Sequence, residues 1–386
     1  MRRTALIIAL LAVLIPAVGA EAAYQTLSPG GVVNDVAIAA DGKYMVVGTE
    51  SGGIVCLQRD GRVPWNVSAG SAVTTVADAG GYVAAGTATG GVILLDRNGN
   101  RYWTANVSGP VRDIAFSGDA RFLAVGSDRV TLFDHRGEEQ WTLSTKAGVP
   151  SVAFTADGNY IVAGSDSGTI YFISRRGNVI WQALARDAVT AVDVSQDGSV
   201  VAAGSRDRVL QVYGRAGGLP WAVPTGAPIL TLALSEDGRV VAVGKEGGDI
   251  ECYRPNEALL WANRTESDVL AVDVSRRGEV VAAGTAEGFV HLWSGDGTER
   301  WSFDAGAPVG AVAISEIGDY LAAGAGEQAF IFRTADVPVP QAGPTENAAS
   351  APSPAATPTT ADGAGALIGI AGFIGVTAIL ARKRRG

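Results

Sequence analysis

The feature that most constrains this chain is a short signature that returns eight times at a nearly fixed interval. An aromatic or β-branched residue, two or three aliphatics and a glycine occur as YMVVG ending at Gly48, YVAAG at Gly86, FLAVG at Gly126 and YIVAG at Gly164, then VVAAG at Gly204, VVAVG at Gly244, VVAAG at Gly284 and YLAAG at Gly324. Successive glycines lie 38 or 40 residues apart. Such a period marks an array of similar units, each too small to bury its own apolar faces, so that neighbours must stack. A second signature keeps the same phase: RDGRVPW ends at Trp65, RNGNRYW at Trp103, HRGEEQW at Trp141, RRGNVIW at Trp181, RAGGLPW at Trp221 and GDGTERW at Trp301, and Trp261 completes the series.

One unit shows what is being repeated. VTAVDVS, from Val189 to Ser195, reads as a short strand; QDG is a turn and SVVAAGS a second strand. VLQVY, from Val209 to Tyr213, reads as a third, and after RAGG the LPWAV stretch carries the chain into a fourth. Four short β runs between Gly and Asp turns in about 40 residues describe one blade of a propeller, and no helical period intervenes between residues 24 and 333. The expectation is an all-β, eight-bladed β-propeller over residues 24–333. In this reading Trp65, Trp103, Trp141, Trp181, Trp221, Trp261 and Trp301 are structural, each locking one blade onto the next near the rim. The eighth unit lacks a fourth strand, and Tyr24 to Ser28 is expected to supply it with Tyr24 in the tryptophan slot, so that no sheet edge stays open at the seam.

The Gly-x-x-x-Trp element of Gly177 to Trp181 and its copies resembles the tryptophan-docking motif of quinoprotein propellers, the PQQ-dependent dehydrogenase-like group. The strand, DG turn and aliphatic-glycine pattern is also similar to WD40 repeats. Both resemblances cover residues 24–333 and imply a propeller. The sequence departs from them at Glu257, which stands where the docking glycine would precede Trp261, and in lacking the Gly-His pair of WD40. The quinoprotein resemblance implies a dehydrogenase with a quinone, a calcium site and a vicinal cysteine pair. No adjacent cysteines occur here, and no HExxH, GxSxG, P-loop or zinc spacing is present. The expectation is therefore a protein with no catalytic residues, no cofactor and no metal. Cys56 and Cys252 sit at core positions of their repeats and read as free buried thiols, and His135 and His291 as surface histidines.

The strand nearest the axis carries the one asymmetry that suggests a ligand. Asn34 and Asp35, Thr75, and Arg112 and Asp113 make the first three blades polar where later blades carry Ala191, Leu230, Ala271 and Gly310. These five residues form a candidate channel-mouth site for a small polar ligand or cation. A second candidate surface is the set of loops at one end of the ring, with Glu50, Lys146, Arg186, Asp187, Arg206, Asp207, Lys245, Glu246, Glu266, Asp268, Glu287 and Asp304. Three sequons, at Asn66, Asn106 and Asn263, follow blade tryptophans and are candidate N-glycosylation sites.

The two ends of the chain predict where it resides. Residues 1–20 pair Arg2 and Arg3 with an apolar run closing on Val18-Gly19-Ala20, the pattern of a cleavable secretory signal. Residues 334–363 are rich in Pro, Ala, Thr and Ser and read as an unfolded stalk. Residues 364–381 carry no charge and suit a transmembrane helix, and the basic 382–386 tail places the propeller outside the cell. The stalk, apolar segment and basic end resemble the sorting tails of prokaryotic surface proteins, including those processed by sortases and archaeosortases. Without its terminal segments the chain holds 24 basic and 35 acidic side chains, which excludes a nucleic-acid footprint. The functional expectation is a non-catalytic binding or scaffold propeller at the cell surface, with protein or surface-glycan partners. A redox or hydrolytic enzyme with a disguised channel site and a structural surface-layer component are the alternatives.

Overall fold

The computed structural model describes residues 24–218, 221–255 and 257–337. The signal segment, the apolar 364–381 segment, the 382–386 tail and the stalk beyond Val337 lie outside them. The described residues form eight four-stranded antiparallel sheets, in seven of which the strands follow chain order from the axis to the rim. Adjacent inner strands touch all the way round, including Val309–Ile314 with Val33–Ile38, so the ring of blades is closed.

Local chemistry explains each hairpin. In the fifth blade the inner strand Val189–Val194 stops at Ser195, whose hydroxyl donates to Asp197 at 2.8 Å, while the same carboxylate accepts the Ser199 N–H at 2.9 Å. Gly198 then takes a left-handed φ of 70°, which reverses the chain into Val200–Ser205. The apolar residues of these strands do not form one central core. They form eight clusters, each between two neighbouring blades; Val46, Ile54 and Val83, for example, belong to one cluster shared by blades 1 and 2. Burial is thus an inter-blade property, as the repeat length requires.

Both sequence signatures follow from that stacking. The recurrent glycine of the second strand is present because the next blade packs on its Cα. A Cβ at Gly48 would lie 2.6 Å from Val73, and one at Gly324 2.5 Å from Val33 across the seam. Its φ is not in the left-handed region, so close approach and not conformational freedom selects glycine here. The glycine four residues before tryptophan answers to both demands. Gly217 has φ 69°, and a Cβ there would meet Trp181 of the preceding blade at 2.5 Å. The indole N–H completes the joint, donating from Trp65 to the Arg97 carbonyl at 2.9 Å and from Trp141 to the Arg175 carbonyl at 2.8 Å. Trp103, Trp181, Trp261 and Trp301 make the equivalent bond to the following blade or segment. Trp221 lies edge-on to Tyr253, 5.9 Å between centroids, in the blade where Glu257 replaces the glycine.

The N-terminal strand Tyr24–Leu27 pairs antiparallel with Gln328–Arg333 and completes the eighth blade. The expected register is corrected by one residue. Gln25 opposes Ile331, the position equivalent to Leu292 opposite Trp301, so Gln25 and not Tyr24 occupies the tryptophan slot. Gly61 of the first blade approaches Gln25 as Gly99 approaches Trp65. Tyr24 points to the opposite side, towards blade 7, and packs on Phe303 of that blade and Phe332 of its own at centroid distances of 5.0 and 5.5 Å. Packed contact continues past Arg333: Thr334 is buried, its N–H donates to the Asp319 carbonyl at 3.0 Å, and its carbonyl receives the Trp301 indole N–H at 3.2 Å.

Candidate functional site

The channel-mouth residues lie on the inner strands, and each is held by a neighbour. The two carboxylate oxygens of Asp35 accept the N–H of Val36 in its own strand and of Val76 in the next blade, both at 2.8 Å. Asp113 repeats this with Ile114 and Val152, both at 2.8 Å. The Asn34 amide donates to the Val73 carbonyl at 2.8 Å, again in the next blade. Thr75 is buried, and its hydroxyl helps to hold the Asp35 carboxylate. Arg112 does not converge on the two aspartates; it pairs with Asp166 of blade 4 at 2.5 Å.

Two further members of this set escape a reading that compares one repeat position. Asp193 accepts from Val194 and Leu234 at 2.7 and 2.8 Å, and Asp273 accepts from Val274 at 2.8 Å and Ile314 at 2.6 Å. Both stand two residues further along the inner strand than Asp35 and Asp113. A carboxylate therefore bridges from each odd-numbered blade to its successor, at two levels of the channel wall. Ser151 does the same from blade 4, its hydroxyl accepting the Val192 N–H at 3.1 Å.

Burial of these carboxylates raises their pKa values despite the backbone donors. Asp35 and Asp193 rise from 3.8 to about 6, and Asp113 and Asp273 to about 7. The charge of Asp35 adds to the rise at Asp113, and that of Asp193 to the rise at Asp273. The folded state thus holds protons that the unfolded chain has released between about pH 4 and pH 7, so stability from these groups is lost as pH rises through 6–7. The turn aspartates act oppositely: Asp41, Asp157 and Asp197 are held below the ordinary range by their Lys, Ser, Thr and Asn partners, a contribution lost only on strong acidification. The melting temperature is expected to rise from pH 8 to a maximum near pH 4 and to fall on stronger acidification. Calorimetry across that range checks it, and a profile highest at pH 8 would contradict it.

The loop surface needs one correction. Lys245 is not exposed: its ammonium is buried, bonded to the Thr225 carbonyl at 2.8 Å and to Glu251 at 2.7 Å, with Asp249 at 3.4 Å. It stands where other blades carry Thr49, Ser165 or Ser205, and Glu251 replaces an aliphatic or neutral residue to meet it. Glu50, Arg186, Asp187, Arg206, Glu246, Glu266 and Glu287 remain exposed. His291 is also held, with Nδ1 2.9 Å from Glu299 and its ring stacked on Trp293 at 5.2 Å, whereas His135 is exposed. Cys56 and Cys252 are buried free thiols, and burial pushes the Cys56 thiol up to about 12. Of the three sequon asparagines, Asn66 and Asn106 are exposed, while the Asn263 amide donates to the Gly297 carbonyl of the next blade at 2.9 Å.

The repeat sequence has a counterpart among known families. The family model described as outer membrane protein assembly factor BamB matches residues 12–126 and 88–228, more than half of the chain. The chain belongs to this family. It is a PQQ-like and WD40-like propeller. No curated protein matches it in sequence. Among solved structures it is similar to the computationally designed Ika8 protein, with TM-score 0.71 and 17% identity, over 80% of this chain and 98% of that one. Sqt1 of Chaetomium thermophilum, solved bound to the N-terminus of the ribosomal protein L10, gives TM-score 0.71 and 15% identity over the same shares. Sqt1 of Saccharomyces cerevisiae gives TM-score 0.69 and 14% identity, covering 80% of this chain and 98% of that one. At such identities the likeness is one of fold.

Proposed function

We infer that the chain is a non-catalytic binding scaffold whose propeller engages protein partners at the cell envelope. The observation that carries this reading is a division of labour among its polar groups. Asn34, Asp35, Asp113, Asp193 and Asp273 are occupied in joining blades. The charged residues left to solvent, including Glu50, Arg186, Arg206 and Glu287, stand on loops of a rigid ring. Membership of a family described as an outer membrane assembly factor supports protein partners. The Sqt1 structure with a ribosomal protein N-terminus supplies a further case of this fold holding a protein segment. Surface glycans are a second partner class for the same loops.

The ends of the chain support the location. A signal at 1–20 and an apolar segment at 364–381 followed by RKRR fit a single-pass membrane protein with its propeller outside. Exposed Asn66 and Asn106 are then the available glycan acceptors, and Asn263 is not, because its amide is engaged between blades.

The test is affinity purification of the full chain from native membranes after mild cross-linking, beside a variant with Arg186→Glu and Arg206→Glu. A discrete protein is expected with the wild type and at a several-fold lower yield with the variant, at an unchanged melting temperature. A purified protein that carries a quinone or calcium and turns over an alcohol or sugar would overturn the non-catalytic reading.

A further inference from the structure

The joint between blades 3 and 4 opens into a cleft of about 460 Å³ at the rim. Arg121, Phe122, Gln140 and Trp141 of blade 3 line it on one side, and Arg175 and Arg176 of blade 4 on the other. All three arginines are exposed, in a chain whose acidic side chains outnumber the basic by 39 to 30. Among the described residues Asp119, 3.6 Å from Arg121, is the one carboxylate within ion-pair distance of any of them. Arg175 lies over the Phe122 ring, its Cζ 5.2 Å from the ring centre, so stacking holds the plane of the guanidinium while no protein carboxylate takes up its N–H groups. Gln140 donates its amide N–H to the Glu138 carbonyl at 3.2 Å, which leaves its side-chain oxygen as an acceptor. The Trp141 ring beside it is only half-buried.

Docking one blade on the next does not require these charges. At the position of Arg121 other blades carry Asn159 or Glu279, and at that of Arg176 they carry Ala216 or Asp296. The indole N–H of Trp181, Trp261 and Trp301 still reaches its carbonyl at those joints. Blades 3 and 4 alone place a basic residue at both positions and at that of Arg175 as well. Cations that the fold does not need, gathered against their mutual repulsion around a ring and an acceptor, mark a site for an anion with more than charge to offer.

We propose that this cleft binds an acidic saccharide, a glycan chain containing uronate. The sugar carboxylate takes the paired N–H groups that guanidinium presents in its plane, the apolar face of the sugar ring lies against the exposed part of Trp141, and a hydroxyl donates to the free oxygen of Gln140. An acidic peptide would satisfy the arginines but offers neither the hydroxyls nor the flat ring face. The cleft is built from turns at the end of the ring opposite the loops, so it is independent of whatever the loops bind.

Titration calorimetry of the full chain in detergent, with hexamers of galacturonate, glucose and glutamate, tests it. The galacturonate hexamer is expected to bind, and the other two to bind far more weakly. Arg121→Gln with Arg176→Gln removes two charged contacts and should weaken galacturonate binding by on the order of 10–100-fold. The melting temperature should not move, because other blades dispense with both residues. Arg239→Gln with Arg254→Gln removes the same charge from blade 6 and should leave the affinity unchanged. Failure of the galacturonate hexamer to bind, equally tight binding of the glutamate hexamer, or an equal loss from the blade 6 pair overturns the proposal.

Discussion

Deleting residues 24–28 is expected to lower the melting temperature by on the order of 10 °C. The deletion removes the strand that, among the described residues, alone pairs with the outer side of Gln328–Arg333. It also removes Tyr24, which is buried against Phe303, Phe330 and Phe332. Truncating one buried aromatic costs about 3–5 kcal/mol, and the bared edge adds a route to aggregation. Tyr24→Ala should reproduce much of the loss, whereas Gln25→Ala, at the tryptophan slot but without a ring, should cost far less. Differential scanning fluorimetry of the three variants checks this order. A deletion variant that melts with the wild type would contradict closure by this strand.

Trp301→Ala is the point substitution with the largest expected cost, about 3–5 kcal/mol. The other docking indoles keep part of one face in solvent, but Trp301 is buried, packs on Phe332 at 5.3 Å and donates to the Thr334 carbonyl. It therefore joins the last two blades at the place where the chain leaves the ring. Trp103→Ala, at a partly exposed joint of the same kind, should cost roughly half as much. Urea unfolding of both variants gives the comparison, and equal costs would mean that burial at the rim does not set the strength of the joint.

The period, the blade count and the closing strand could all be read from residue spacing, because a stacked array repeats its packing demands in the sequence. The glycines at 48 and 324 and the indole joints are direct imprints of one blade on another. What could not be read was which way a residue faces once the local pattern breaks. Tyr24 looked like a tryptophan substitute because it is aromatic, yet the outer strands carry a bulge before tryptophan that the N-terminal strand lacks, and the register moves by one. Asp193 and Asp273 were missed because the carboxylate bridge can be made from either of two positions on the inner strand, and repeat alignment compares only one. Lys245 looked like a loop cation because its partner Glu251 is six residues away, on the adjacent strand. The Asn263 sequon matches Asn66 and Asn106 in its triplet but differs from both in the face it presents.

The claim on which the rest depends is that the inner-strand carboxylates hold the blades together while binding belongs to the loops. Asp113→Ala leaves the Ile114 and Val152 amides without their acceptor, and at pH 6 it should lower unfolding stability by about 1–3 kcal/mol. The decisive measurement is partner yield in the membrane pull-down for Asp113→Ala, made well below the melting temperature of the variant. Undiminished yield from a less stable protein is the expected result. A variant that melts like the wild type but no longer retains its partner would place the ligand in the channel and contradict the account.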